Sequence, residues 1–155
     1  TDIMDKDAVI ETLNKILEME LAGVVRYAHY SLMVYGPYRM PIVTWLREQA
    51  DESLAHAQQA GEMITQLGEH PSLAIGPLLE THDHDIEAIL KESLDHERQT
   101  LRFYNDLRMQ VEGHTVMLEE YARTLLATEE QHLGEVDRML RQPGDVASAA
   151  VGIMG

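Results

Sequence analysis

Cysteine is absent from the 155 residues, which excludes disulfides, thiolate zinc sites and cysteine-held iron–sulfur clusters. The same absence is compatible with a reducing, cytoplasmic location. Aromatic residues make up only 5% of the chain, while Leu, Ala, Glu and Met are plentiful, a balance that favours helix over strand. No apolar run approaches the roughly 18 residues of a membrane span. The acidic start (Thr1, Asp2, Ile3, Met4, Asp5) has none of the basic-then-apolar layout of a secretory signal. Basic residues are scarce as well: 12 Lys and Arg face 27 Asp and Glu, for a formal net charge of −15. That charge argues against partners held through phosphates, whether nucleic acid or an anionic membrane surface. It favours solubility and attracts cations.

What is present is helical periodicity along nearly the whole chain. Val9, Leu13, Ile16, Glu20, Val24, Tyr27, Ser31 and Val34 mark one face of a first helix, ended by Gly36 and Pro37. Ile42, Leu46, Gln49, Ser53, His56, Ala60, Met63 and Leu67 mark a second, with Pro41 in its first turn and Gly68 closing it. Ile86, Leu90, Ser93, Glu97, Leu101, Tyr104 and Val111 mark a third. Leu118, Ala122, Leu125, Glu129, His132, Val136 and Leu140 mark a fourth, with Thr115 placed to cap it.

Short turns pair helices one with two and three with four, while about fifteen residues, Gly68 to His82, separate the pairs. Extended at about 3.3 Å per residue, that segment reaches roughly 50 Å, enough to run the length of a bundle. The expected fold is an all-α four-helix bundle of two antiparallel hairpins joined by a long crossover, over residues 1–142. A short, flexible, small-residue tail is expected over 143–155.

Five ionisable side chains interrupt the apolar faces: Glu20, His56, Glu97, Glu129 and His132. Burying them would be prohibitive unless they neutralise something. Glu129 and His132 stand three apart and share a helix face. A Glu-x-x-His pair with a Glu from each neighbouring helix is the ligand set of di-iron carboxylate bundles. The halves also echo each other, because Glu20 precedes Tyr27 by seven residues and Glu97 precedes Tyr104 by the same interval. The two tyrosines either bond ligand carboxylates, supply electrons during oxidation, or are core aromatics with satisfied hydroxyls.

At these residues the chain resembles bacterioferritin and the wider ferritin-like superfamily, over roughly residues 8–141. The resemblance rests on Glu20 to Tyr27, His56-Ala57 with Leu67-Gly68 and Pro71, Glu97, and Glu129-Glu130-Gln131-His132. It implies a ferroxidase centre oxidising Fe(II) with O2 or H2O2, iron storage, and a homo-oligomer that is at least a dimer packed through helices one and two, with a cage as the larger possibility. Manganese suits the same ligands.

The chain departs from the family where a bridging Glu is expected three residues before His56. Ser53 stands there, and Glu52 is the expected substitute; the alternative is an asymmetric centre with one weakly held ion. Leu54 replaces the family's haem-ligating Met, so haem is not expected. The cluster Glu80, His82, Asp83, His84 and Asp85 reads either as an iron entry site or as an acidic first turn of helix three. Two further functions fit the same residues. One is a rubrerythrin-like peroxidase drawing electrons from a separate partner; the other is a metal-depleted bundle serving assembly.

Overall fold

The computed structural model describes residues 3–78 and 81–148. Four helices carry the chain: α1 (Lys6–Met33), α2 (Arg39–Gln66), α3 (Ile86–Val111) and α4 (Val116–Leu140). α1 packs against α2 and α3, and α3 packs against α4, so two antiparallel hairpins lie side by side as the all-α pattern requires.

Each turn has a local cause. Gly36 and Gly113 adopt φ of 101° and 80° in the α1–α2 and α3–α4 connections, a left-handed backbone that glycine enters without steric cost. Asp5 accepts from the Ala8 amide at the start of α1, and Asp85 accepts from the Ala88 amide at the start of α3, so each satisfies an amide that lacks a helical partner. Thr115 holds the N-cap position of α4 but makes no side-chain cap bond. Glu119 Oε1 instead accepts from the Gly113 amide in the preceding turn.

The crossover is longer than the sequence pattern implies. α3 begins at Ile86 rather than near His82, because Asp85 caps it and His82, at φ 58°, sits in a left-handed conformation that a helix cannot continue. His82, Asp83 and His84 therefore precede the helix and do not form its first turn; Glu80 lies outside the described residues.

The crossover is bonded to α1 at several points. The Ser72 amide donates to Asn14 Oδ1, Ser72 Oγ to Glu18 Oε2, and the Gly76 amide to the Glu18 carbonyl at 2.9 Å. A Cβ at Gly76 would stand 3.1 Å from both that carbonyl oxygen and Met19 Sδ, so a side chain there would push the crossover or α1 back by a few tenths of an ångström. The segment after α4 is also tied back as far as it is described. Arg141 donates to Asp137 and to the Val146 carbonyl, and Ser148 donates to Asp137. Of the expected tail, residues 149–155 lie outside the described range.

The interior is apolar at both ends and polar in the middle. One end is filled by Val9, Leu13, Ile16, Ala60, Ile64, Leu107, Val111 and Leu118. The other is filled by Val34, Val43, Leu46 and Ile89, with Leu90, Leu133 and Val136 beside them. Between these plugs lie Glu20, Glu97 and Glu129, at 2%, 4% and 3% exposure. Among the described residues no helix is long and apolar enough to cross a membrane.

Candidate metal centre

Each helix delivers its polar residue to the same level. Glu20 and Tyr27 come from α1, His56 from α2, Glu97 and Tyr104 from α3, and Glu129 and His132 from α4. One half of the constellation is Glu20, His56 and Glu129, whose ligand atoms all lie within 4.8 Å of one another. In it His56 Nδ1 is 2.9 Å from Glu20 Oε2 and 4.0 Å from Glu129 Oε1. The other half is Glu97 and His132, with His132 Nε2 3.7 Å from Glu97 Oε1. The Glu97 and Glu129 carboxyls act on each other across the two halves.

The two tyrosines cross over between the halves. Tyr27 of α1 donates to Glu97 Oε1 of α3 at 2.6 Å, and Tyr104 of α3 donates to Glu20 Oε2 of α1 at 2.8 Å. Burial and the carboxylates they face push the pKa of both hydroxyls well above the ordinary value, so both remain donors. Of the roles the sequence leaves open, the contacts here are those of carboxylate-bonding donors. The Tyr27 hydroxyl also meets His132 Nε2 at 3.1 Å, and Trp45 stacks on the His132 ring at 5.9 Å between centroids.

The two central carboxyls are pushed in opposite directions. Burial raises Glu129 well above the ordinary carboxyl value, and the nearby Glu97, Glu20 and Glu52 carboxylates raise it further. Burial acts the same way on Glu97, but the hydrogen bond from Glu129, the His132 and His96 imidazoles and the Tyr27 hydroxyl outweigh it and bring Glu97 down to about 2. A nearby like charge disfavours ionisation of a carboxyl. Burial and its carboxylate neighbours thus favour the neutral form of Glu129, while the donors around Glu97 favour its charged form. Burial also raises Glu20, against the hydrogen bond from His56.

Ser53 is buried and turned toward α1, with its Oγ only 2.9 Å from where a Cβ on Gly23 would stand. Glu52 is at the mouth of the pocket, its side chain 44% exposed and its Oε1 3.6 Å from His56 Nε2, the ring nitrogen opposite Glu20. Gln49 and Thr128 complete that mouth. Leu54, at the position of the expected haem ligand, is 43% exposed on α2.

His96, Trp45 and Thr128 were not legible as site residues. His96 is buried next to Glu97, with Nε2 3.4 Å from the Gly23 Cβ position. The apolar stripe of α3 admits one of two adjacent positions, and Glu97 had taken it. The one signal for His96 was its spacing of three from Ser93 and four from Thr100, both buried.

The donor set suits a divalent cation pair. Three carboxyls and two imidazoles converge in a dry interior, and Glu129 Oε2 is buried with no hydrogen-bond partner, a cost that a cation would offset.

A four-helix bundle with one long crossover, whose core holds glutamates and histidines from all four helices, belongs to the class of carboxylate metal-binding bundles. Residues 10–143 match the ferritin-like domain model, and the chain belongs to that family. No curated protein sequence matches the chain. Solved structures with the same fold include a ferritin-like di-iron–carboxylate protein of Bacillus anthracis, with a TM-score of 0.84, 24% identity, and coverage of 90% of this chain and 100% of that one. A dodecameric thioferritin, the bacterioferritin-related protein of Bacteroides fragilis, gives 0.82 and 24%, covering 88% and 86%. Rhodobacter capsulatus bacterioferritin, with a metal-free dinuclear site and haem iron, gives 0.77 and 21%, covering 89% and 86%.

Proposed function

We infer that the protein is a bacterioferritin-type ferroxidase that takes Fe(II) as its substrate and oxidises it for storage or detoxification. The observation that carries this reading is the buried Glu20, His56 and Glu129 group with Glu97 and His132 beside it. Glu20 and His56 would hold one ion, Glu97 and His132 the other, and Glu129 would lie between them. Each Fe(II) gives up one electron, to O2 or H2O2.

The chain's own residues prepare that site. Tyr27 and Tyr104 hold Glu97 and Glu20 in place, and Trp45 fixes the plane of His132. The apolar plugs above and below exclude water, which strengthens the attraction between carboxylates and cations. Glu129 gives up its proton as cations enter, so its unpartnered oxygen becomes a ligand. Glu52, at the mouth, supplies the carboxylate that Ser53 lacks.

The neighbours named above include a dodecamer, and we assign this chain to a homo-oligomer as well. Val25, Leu32 and Leu54 leave apolar surface on the outer sides of α1 and α2, which suits a dimer packed through those helices.

The test is iron stoichiometry and aerobic oxidation for the wild type and for Glu52→Ala, with O2 and H2O2 compared as oxidants. Two irons per chain with rapid oxidation, both impaired in the variant, are expected. Faster turnover with peroxide would favour the peroxidase reading. One iron or none, with the variant unchanged, would overturn the ferroxidase in favour of an assembly role.

A further inference from the structure

The two halves of the carboxylate centre are unequally built. A divalent transition ion with ligand bonds of about 2.1 Å keeps its donor atoms within about 4.2 Å of one another. In the first half His56 Nδ1 meets that limit toward two carboxyls, at 2.9 Å from Glu20 Oε2 and 4.0 Å from Glu129 Oε1. Three helices, α1, α2 and α4, thus each supply one donor. Glu52 stands on the same side, 3.6 Å from His56 Nε2, and adds negative charge there.

In the second half His132 Nε2 and Glu97 Oε1 are 3.7 Å apart, also close enough to share an ion. A third donor is missing. Among the described residues, Glu20, His56 and Glu129 are the one group of three whose ligand atoms lie so near together. Ser53 of α2 lines the same pocket as Glu97 and His132, but its hydroxyl brings no charge.

The contacts that hold the donors differ as well. His56 and Glu20 bond each other, and Tyr104 steadies the same Glu20 oxygen at 2.8 Å. An ion entering there meets ligands already turned to one point. In the second half a hydroxyl engages both ligands instead: that of Tyr27 is 2.6 Å from Glu97 Oε1 and 3.1 Å from His132 Nε2. An ion there must compete with it. The donor left over is Glu129 Oε2, buried without a partner, on a carboxyl whose other oxygen faces the first half.

We propose that the centre fills in order and holds its two ions unequally: Glu20, His56 and Glu129 take the first ion and keep it, while Glu97 and His132 hold the second loosely and exchange it. This rests on the ferroxidase reading above and adds which half is resident and which turns over. The cause is ligand count and preorganisation, since both halves share the same kinds of donor.

The experiment is anaerobic titration of the metal-free full chain with Co(II), a neighbour of Fe(II) in ligand preference, followed by calorimetry and visible absorption. One Co(II) per chain should bind first, and a second at least about tenfold more weakly, because loss of even an outer partner of a metal ligand costs about 10–100-fold in affinity. Repulsion between two ions would also separate the steps, so the variants decide. His56→Gln should remove the tight step, whereas His132→Gln should keep it within about twofold and remove the weak one. Equal affinities of the two variants would overturn the unequal halves and leave the ferroxidase reading in place. No Co(II) bound by the wild type would overturn both. Circular dichroism of the variants, and the matching pair His56→Ala and His132→Ala, separates ligand loss from a folding defect.

Discussion

Glu129→Gln and Glu97→Gln are the same chemical change on two neighbouring buried carboxyls, yet the structure assigns them unequal effects on the metal-free protein. Burial and the neighbouring carboxylates push Glu129 toward its neutral form, so its amide analogue keeps the charge state favoured there. The expected cost is under about 1 kcal/mol, within the range of a well-matched neutral hydrogen bond. Glu97 is ionised, held down to about 2, and accepts from Tyr27 at 2.6 Å. Its amide analogue loses the charge and weakens a charge-assisted bond worth about 1.5–3 kcal/mol. The expected cost is about 3 kcal/mol, or roughly 6–12 °C in melting temperature at about 2–4 °C per kcal/mol for a domain of this size.

With metal, both variants should fail. Anaerobic Fe(II) at about 100 times its dissociation constant should stabilise the wild type by about 2.7 kcal/mol, hence by roughly 5–10 °C. Neither variant should show that shift, because an amide offers a weaker ligand and leaves less charge to neutralise the ions. Differential scanning calorimetry of metal-free and Fe(II)-loaded protein reads both numbers. Equal destabilisation by the two substitutions would refute the favoured neutral form of Glu129. A full Fe(II)-dependent shift in Glu129→Gln would refute its place between the two ions.

Three other outcomes follow from the same geometry. Glu129 and Glu20 are raised above their ordinary value of 4.5, so their stabilisation is complete below that value and is lost as pH rises through their folded values. Glu97 is lowered from 4.5 to about 2, so its contribution is present above 4.5 and is lost as pH falls. The metal-free melting temperature should therefore peak at mildly acidic pH and decline as pH rises through the raised values of Glu129 and Glu20, whereas Fe(II)-dependent stabilisation, measured anaerobically, should grow over the same range as cations replace protons; a flat metal-free profile would contradict this. Tyr27→Phe and Tyr104→Phe each remove a donor to a buried carboxylate and should cost about 2 kcal/mol in urea denaturation and slow iron oxidation; unchanged values for both would reduce the tyrosines to packing. Gly76→Ala should cost about 1–3 kcal/mol through the clash with the Glu18 carbonyl and Met19, and a stability equal to wild type would mean that the crossover can lift off α1.

The bundle was legible because helical periodicity is a local property. Val9, Leu13 and Ile16 repeat at three and four whatever they pack against, and all three are buried. Glu20, Glu97 and Glu129 were legible for a related reason, since a carboxyl on an apolar stripe is conspicuous where neighbours are Leu and Ile. The start of α3 was not, because acidic residues suit both a first turn and a loop; the decision lay in the left-handed backbone of His82 and the cap at Asp85.

By itself, then, the sequence determined four amphipathic helices, the long crossover and the level at which five ionisable groups meet. Spacing along a helix sets the face on which a side chain lies. Only the tertiary structure decided that Glu129 is pushed up and Glu97 down, because the two are the same residue type and differ in their neighbours from other helices. It also decided that Tyr27 bonds Glu97 while Tyr104 bonds Glu20, and that Glu52 stands at the pocket mouth while Ser53 faces Gly23. It brought His29 to within 5.8 Å of His84, a pairing across 55 residues that no local pattern encodes. Contacts between helices depend on distance and dielectric in three dimensions, and a one-dimensional repeat carries neither.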